Sequence, residues 1–396
     1  MGCDYSGFFV ETLTFAVGLS SLLPKFHLDI GKCKETMLST MTKRERDVLS
    51  TRRTPLQRLQ AKGGGGGGGG GDSDIMILHK LPGQQYHLPE HGNHLVIGRH
   101  MTESTVLSLV EAKEAMRVDE VWVPTEFHRK VFLNAGVASQ RVYVVPEPVD
   151  VDFYHPTMET ETETETETET DSKQTKFVSV FKWEERKGWD VLLQAYWSTF
   201  TVDDDVELVL RTYKPSWSPG TKNIQALVAQ HATKLYDGGS DSSNLAKVTV
   251  LSNDLSKMEL RQLYQDSDAF VLPTRGEGWC LPCVEAMAMS LPILVTNFSG
   301  PTSYLTKERG FPLKYKLDER TGYAEPSVSS LAAAMRSIYV NPVDAKKRGK
   351  RGREYVMRHL STDVVANMVV ERLSLLWSRR KTGVVVEEEE EERVEL

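Results

Sequence analysis

The stretch FVLPTRGEGWCLPCVEAMAM, residues 270–289, decides how the rest of the chain is read. Apolar residues that suit a strand run to Pro273, a turn with glycines at 276 and 278 follows, and a helical pattern resumes from Pro282. The glycines permit a turn with exposed backbone amides, and Pro282 suits the first residue of a helix, where a missing N–H costs no intrahelical bond. Strand, glycine turn and helix start in that order bring free N–H groups and the positive end of a helix dipole to one spot, which is an anion site of diphosphate size. Glu277 and Glu285 flank that helix start, eight positions apart. One suits a ribose diol, as acidic residues do in dinucleotide sites, and the other a sugar; the bland reading is two solvated helix-end charges.

Around this stretch, short apolar runs alternate with amphipathic helical patterns. Strands are expected at 26–30, 75–78, 95–97, 120–124 and 141–146, and again at 177–181, 206–211, 247–251, 269–273 and 292–296. Such alternation marks βα units around parallel sheets, and in these sheets ligands sit beyond the carboxyl ends of the strands. The fold class expected is therefore α/β, with two Rossmann-like doubly wound domains facing a cleft. The domains are placed at 1–155 and 177–360, with an acidic Glu-Thr linker at 156–176, a returning C-terminal helix at 361–380 and an acidic tail at 381–396. At the start, Ser6-Gly7-Phe8 leads straight into the helical pattern Val10–Leu22. A first strand is expected to be missing, or replaced by Met1–Asp4, with Gly7 in the turn into the helix.

At 396 residues, 40% hydrophobic and 26% charged, the chain can bury a core in each half. The formal charge of −7 includes six glutamates between Glu159 and Glu169 and six more at 387–392; without those twelve it is +5. A dispersed +5 suits a phosphate-bearing ligand but is far from the basic stripe that nucleic acid needs, so nucleic acid is excluded as a partner. These acidic tracts and the nine glycines at 63–71 cannot build a core and are read as insertions and a tail. Four cysteines make no secreted disulfide framework, which points to a reducing, cytoplasmic setting. No apolar run reaches the roughly 18 residues needed to span a bilayer. Gly2 followed by Ser6, with Cys3 between, matches an acylation pattern that would add peripheral membrane contact and, with it, a signalling role.

Glu277 and Glu285 match the E-x7-E motif, and residues 273–287 resemble the pattern Pro-Ser/Thr-x-x-Glu-Gly-Phe-Gly-Leu-Pro-x-x-Glu-Ala-Met of the retaining GT-B glycosyltransferases of family 4. The departures are Trp279 for the aromatic and Cys280 for a small residue, and neither removes a backbone donor. Phe181-Lys182-Trp183 and Arg186-Lys187-Gly188-Trp189-Asp190 resemble that family's Lys-Gly loop, whose cations neutralise a departing diphosphate. Many members place an Arg six residues before the Lys; Phe181 stands there, so Lys182 and Arg186 are the two candidates for the second cation. In the first half, residues 96–104, 119–127 and 144–150 resemble the last N-terminal strands and the crossover, with Glu147-Pro148 where Asn-Gly is more usual.

What the resemblance implies is hexose transfer from a UDP- or GDP-linked sugar, with retention, without a metal or cofactor, to an unidentified glycan, lipid or protein acceptor. Glu277, Lys187 and Arg186 are the catalytic candidates. Glu285, Gly278, Trp279, Cys280, Leu281, Thr274 and Lys182 are expected to bind the donor, with Glu285 on the ribose and Glu277 on the sugar. Gly7, His100, Glu103 and the loop 298–302 are the acceptor-side candidates. Cys280-x-x-Cys283 also fits a redox pair or half of a zinc site, but two cysteines cannot complete a tetrahedral site, and both fall inside the motif. A non-catalytic glycosyltransferase-like binding protein is the other function class.

Overall fold

The computed structural model describes residues 7–23, 41, 43–50, 75–79, 88, 94–157, 174–215, 218–236 and 244–382. The strand expected at 26–30, the three low-complexity tracts and residues 1–6 with their acylation pattern lie outside them.

Helices α1 (Gly7–Leu22) and α2 (Lys43–Ser50) come first, so among the described residues no strand precedes α1. Strands β1 (Ile75–His79), β2 (Leu95–Arg99), β3 (Glu120–Val123) and β4 (Val142–Val144) form a parallel sheet in that order. Helix α3 (Leu109–Ala115) follows β2 and α4 (Glu126–Asn134) follows β3. β4 is shorter than the expected 141–146, because Arg141 closes a 3-10 turn and Pro146 has no N–H for a ladder.

The second half holds β5 (Thr175–Lys182), α5 (Trp189–Thr199), β6 (Val206–Tyr213), α6 (Ile224–Tyr236), β7 (Lys247–Leu251), α7 (Lys257–Gln265), β8 (Ala269–Leu272), α8 (Leu281–Ala288), β9 (Ile293–Thr296) and β10 (Gly310–Leu313). A hairpin, β11 (Tyr315–Asp318) with β12 (Tyr323–Pro326), precedes α9 (Val328–Val340), α10 (Pro342–His359) and α11 (Thr362–Thr382). Two expected boundaries are corrected. β5 begins at Thr175, inside the expected linker, and α11 runs to Thr382, past the expected start of the tail.

The six-stranded parallel sheet has the order β10-β9-β8-β5-β6-β7. β8 and β9 are buried on both faces, which is why they read as unbroken apolar runs rather than as alternations. The chain winds from β5 outward to β7, then returns to β8 and winds the other way. The switch point therefore lies between β5 and β8, and the loops that leave their carboxyl ends part there to form the crevice where such sheets bind ligands.

α11 packs onto the first half. Its Val365, Ala366, Val369 and Leu373 pack with Phe15 and Leu19 of α1 and with Ile97, Trp122 and Val145 of the first sheet. Burying a large side chain of this kind contributes about 1.5–3 kcal/mol. Gly18 lets the two helices touch: a Cβ there would meet the Ala366 Cβ at 2.8 Å. At the rim, Arg372 of α11 donates from Nε to both Glu120 carboxylate oxygens at 3.0 and 3.3 Å, stacks 4.1 Å from the Tyr143 ring, and is almost fully buried. Among the described residues no helix is long and apolar enough to cross a membrane.

Candidate functional site

Beyond β8, the backbone of Thr274–Cys280 is shaped by contacts that only particular residues allow. Gly300 approaches so closely that a Cβ would overlap the Gly278 carbonyl. From the same loop, Ser299 Oγ accepts the Glu277 N–H at 2.9 Å and the Gly300 N–H donates to the Glu277 carbonyl at 3.0 Å. The loop 298–302, expected in the cleft, thus buttresses Glu277.

Helix α8 starts at Leu281, one residue before the expected Pro282, with Cys280 as its N-cap at φ 80°, ψ 73°. This left-handed conformation is one that glycine adopts freely and other residues do not. Here a cysteine adopts it, and that turn with the first residues of the helix brings the Cys280 and Cys283 Cα atoms to 5.3 Å, where the two are joined as a disulfide. That corrects the expectation of a reduced pair. The amides of Gly278, Trp279, Cys280 and Leu281 find no acceptor among the described residues, and they sit at the positive end of α8. Trp279 contributes through its backbone, since its ring is buried edge-on against Tyr304, whose hydroxyl donates to the Trp279 carbonyl at 2.6 Å.

The Lys-Gly loop leaves β5 and arrives beside Glu277. Gly188 has φ 68°, and a Cβ on it would overlap the Pro273 carbonyl oxygen. The glycine therefore clamps the loop to the end of β8 and aims Lys187 across the switch point. Lys187 Nζ donates to both Glu277 oxygens, at 2.6 and 2.8 Å, and Thr274 Oγ1 adds a third bond at 2.9 Å. Burial alone would push the Glu277 carboxyl up. The charges of Lys187 and Arg186, with the bonds from Lys187 and Thr274, outweigh it and hold the group below the ordinary carboxylate range. Burial pushes Lys187 down, and Glu277 offsets only part of that.

Arg186 provides the second cation in contact with Glu277, at 3.4 Å, and donates to the Gly276 carbonyl at 2.5 Å. Lys182, the other candidate, ends β5 in register with Tyr213. Arg275 was not singled out from the sequence; it makes a bidentate pair with Asp190 at 2.8 and 2.9 Å and another with Glu325 at 2.8 and 3.0 Å, fastening the turn to α5 and the hairpin.

Glu285 lies in the first turns of α8, buried, and accepts the Tyr264 hydroxyl at 3.0 Å and a hydrogen bond from Tyr154. Burial raises its pKa and the two tyrosines pull it part of the way back. Neither tyrosine carried a local sequence signal, because Tyr154 comes from the crossover and Tyr264 from α7.

The first half presses on this site. Glu103 Oε1 lies 2.9 Å from Arg186 Nη2, and the Glu103 carbonyl fills the space a Cβ on Gly276 would need. Met101 stands in the same relation to Gly278, Thr105 donates its N–H to the Gly322 carbonyl at 3.0 Å, and the Phe127 and Phe298 rings meet at 5.4 Å. His100, in contrast, is buried edge-on against Phe132 in its own half. Gly7 is the first residue of α1. Two further acidic residues lie nearby, Glu11, which sequence reading passed over, and Glu147, which it noted only as a departure from Asn-Gly. Glu11 of α1 is bonded to Arg99 at 2.8 Å, and Glu147, whose pKa is raised by burial and by the charges of Glu11 and Glu277, belongs to the crossover.

Residues 160–355 match the family described as glycosyl transferases group 1. A glycosyltransferase from Rickettsia africae is similar over 95% of this chain and 97% of its own, at TM-score 0.65 and 14% identity. Sucrose-phosphate synthase from Thermosynechococcus elongatus is similar over 72% of this chain and 69% of its own, at TM-score 0.56 and 17% identity. HepE from Anabaena, in complex with UDP and glucose, is similar over 71% of this chain and 72% of its own, at TM-score 0.55 and 13% identity. Their architecture is the GT-B fold, which this chain shares. No curated protein matches the sequence.

Proposed function

We propose, from the match of residues 160–355 to the family described as glycosyl transferases group 1, that this chain moves a hexose from a UDP- or GDP-linked sugar to an acceptor hydroxyl with retention of configuration. The observation that carries this reading is the meeting of Lys187, Arg186 and Glu277 beside four backbone amides that find no acceptor among the described residues, at the start of α8 and at the sheet's switch point. As the bond between the sugar and the diphosphate lengthens, negative charge gathers on the leaving group. Fixed cations and aligned amides in a water-poor site stabilise that charge more than they stabilise the bound donor. Side-chain cations and the helix dipole take the part that a divalent ion plays elsewhere, so the transfer is metal-independent.

In this reading Glu285 takes the ribose diol, and Glu277, oriented by Thr274, Ser299 and Lys187, accepts from hydroxyls of the transferred sugar. The acceptor, a glycan, lipid or protein hydroxyl, enters against the loops of the first half. UDP and glucose bound to HepE, on the same fold, make a UDP-hexose the first donor to try. The test begins with thermal melts in UDP and GDP. A ligand present at 100 times its Kd adds about 2.7 kcal/mol of stability, a shift of several degrees in a chain of this size. Transfer is then measured with the donor so identified, and Lys187→Ala is expected to lower it by at least about a hundredfold, the scale of one lost transition-state contact. A wild-type chain that binds nucleotide yet turns over no donor is a binding protein, and the enzymatic reading fails.

A further inference from the structure

Arg186 is a cation of the second half whose counter-ion comes from the first. Its Nη2 lies 2.9 Å from Glu103 Oε1 and 3.4 Å from Glu184, while its Nη1 lies 3.4 Å from Glu277. With Lys187 on Glu277 at 2.6 Å, two cations face three carboxylates. A group so balanced repels a diphosphate unless one carboxylate gives way. Glu277 is held by Lys187, Thr274 and its own backbone, and Glu184 belongs to the same loop as the cations it serves. Glu103 alone reaches in from the opposite domain, it is the most exposed of the three at 35% of its side chain, and its carboxyl is raised by burial and by the charge of Glu277.

We propose that Glu103 is an exchangeable counter-ion and positioning residue: it holds Arg186 at the donor loop, yields it to the diphosphate when donor binds, and reclaims it as the nucleotide leaves. This rests on the donor reading above and deepens it, because it joins domain contact to nucleotide release. The loop that carries Glu103 is anchored on the second half by Thr105 to Gly322 and by Met101 against Gly278, so the carboxylate can swing without the loop coming away. A plain strut between the domains would contribute stability only. A counter-ion that competes with the ligand lowers affinity while it is present, so removing its charge strengthens nucleotide binding.

UDP binding is measured by calorimetry for the full chain and for Glu103→Gln, Glu103→Ser and Glu103→Asp, alone and combined with Arg186→Gln. Either neutral variant is expected to tighten UDP about tenfold and slow its dissociation, Glu103→Asp to stay near wild type, and the gain to vanish in the Arg186→Gln background. Unchanged or weaker UDP binding in both neutral variants overturns the exchange, as does a gain that persists undiminished without Arg186. If neither UDP nor GDP binds the wild-type chain, the donor reading falls and this role falls with it; binding that Glu103 does not influence removes this role alone.

Discussion

The two halves of the molecule are built from the same βα units, yet one is assembled from neighbours in sequence and the other from distant parts of the chain. In the second half, one loop–helix stretch from Thr274 to Glu285 and one loop at 182–190 meet at the switch point, each turning on one left-handed residue, Cys280 and Gly188, and each fastened by contacts within that half. The first half has a four-stranded sheet among its described residues, and α11, some 250 residues further on, covers it. The candidate site thus rests on two short stretches of one half, whereas the stability of the other half depends on one long-range return.

That contrast is broken most sharply at Arg372. It is buried with Glu120, which also accepts the Trp122 indole N–H at 2.9 Å. Removing one partner of a buried, hydrogen-bonded pair leaves the other charge without compensation and costs about 3–5 kcal/mol. Arg372→Ala is therefore expected to loosen α11 and expose the first half to proteolysis and amide exchange, while UDP affinity changes by less than a few-fold. If UDP affinity collapses together with the first half, the halves are not separable in the way described. Glu120→Gln, which leaves Arg372 buried against an amide, tests the same link from the other side.

An intermediate effect is expected at Gly188. Alanine there must adopt φ near 68° and push against the Pro273 carbonyl, with a cost of about 1–3 kcal/mol for the conformation alone. The loss should fall on the second half, with Lys187 turned away from Glu277, and appear as weakened nucleotide binding and slower transfer, with amide exchange at α1 and α11 unaltered. Tight nucleotide binding by a folded Gly188→Ala protein would mean that Lys187 is not aimed by this turn.

The same contrast explains what could be read from the sequence. Strands β6, β7, β8 and β9 were legible to within two residues, β8 and β9 as continuous apolar runs and β6 and β7 as β-branched and aliphatic runs interrupted by polar residues. The β11–β12 hairpin was not legible: Tyr315 and Leu317 of β11 are exposed, and β12 buries only Ala324 and Pro326, residues that carry no strand signal. In the candidate site, Glu277 and Thr274 were singled out from a strand–turn–helix order and Lys187 from the resemblance of its loop, and the structure brings the three into contact. Choosing Arg186 over Lys182, and finding Tyr264 and Tyr154 on Glu285, required contacts between residues about 20 to 130 positions apart. Glu103 was singled out from the sequence as a loop residue after β2, but that it faces Arg186 depends on how the two halves meet, which no local pattern encodes.

The smallest of these effects is expected at Asp190, and its sign can be worked out. Burial pushes the Asp190 carboxyl up, but the two bonds and the charge of Arg275, with backbone N–H groups at the start of α5, bring it below the ordinary aspartate value. A carboxyl whose folded pKa lies below its unfolded value near ~3.9 stabilises the fold fully above that value. The contribution is lost as pH falls from about 4 through the folded pKa. Asp190→Asn keeps the shape and removes the charge, so it is expected to lower stability at neutral pH by about 1–2 kcal/mol, the range of a charge-assisted bidentate pair that is partly exposed. It should also flatten the acid limb of the stability curve below pH ~4. Because Asp190 holds Arg275, and Arg275 holds the turn before Glu277, the loss belongs to the second half, and exchange protection in β2 and β3 should not change. Equal loosening of both sheets, or an acid limb as steep as in wild type, would show that the Asp190–Arg275 pair is not what fastens the turn before Glu277.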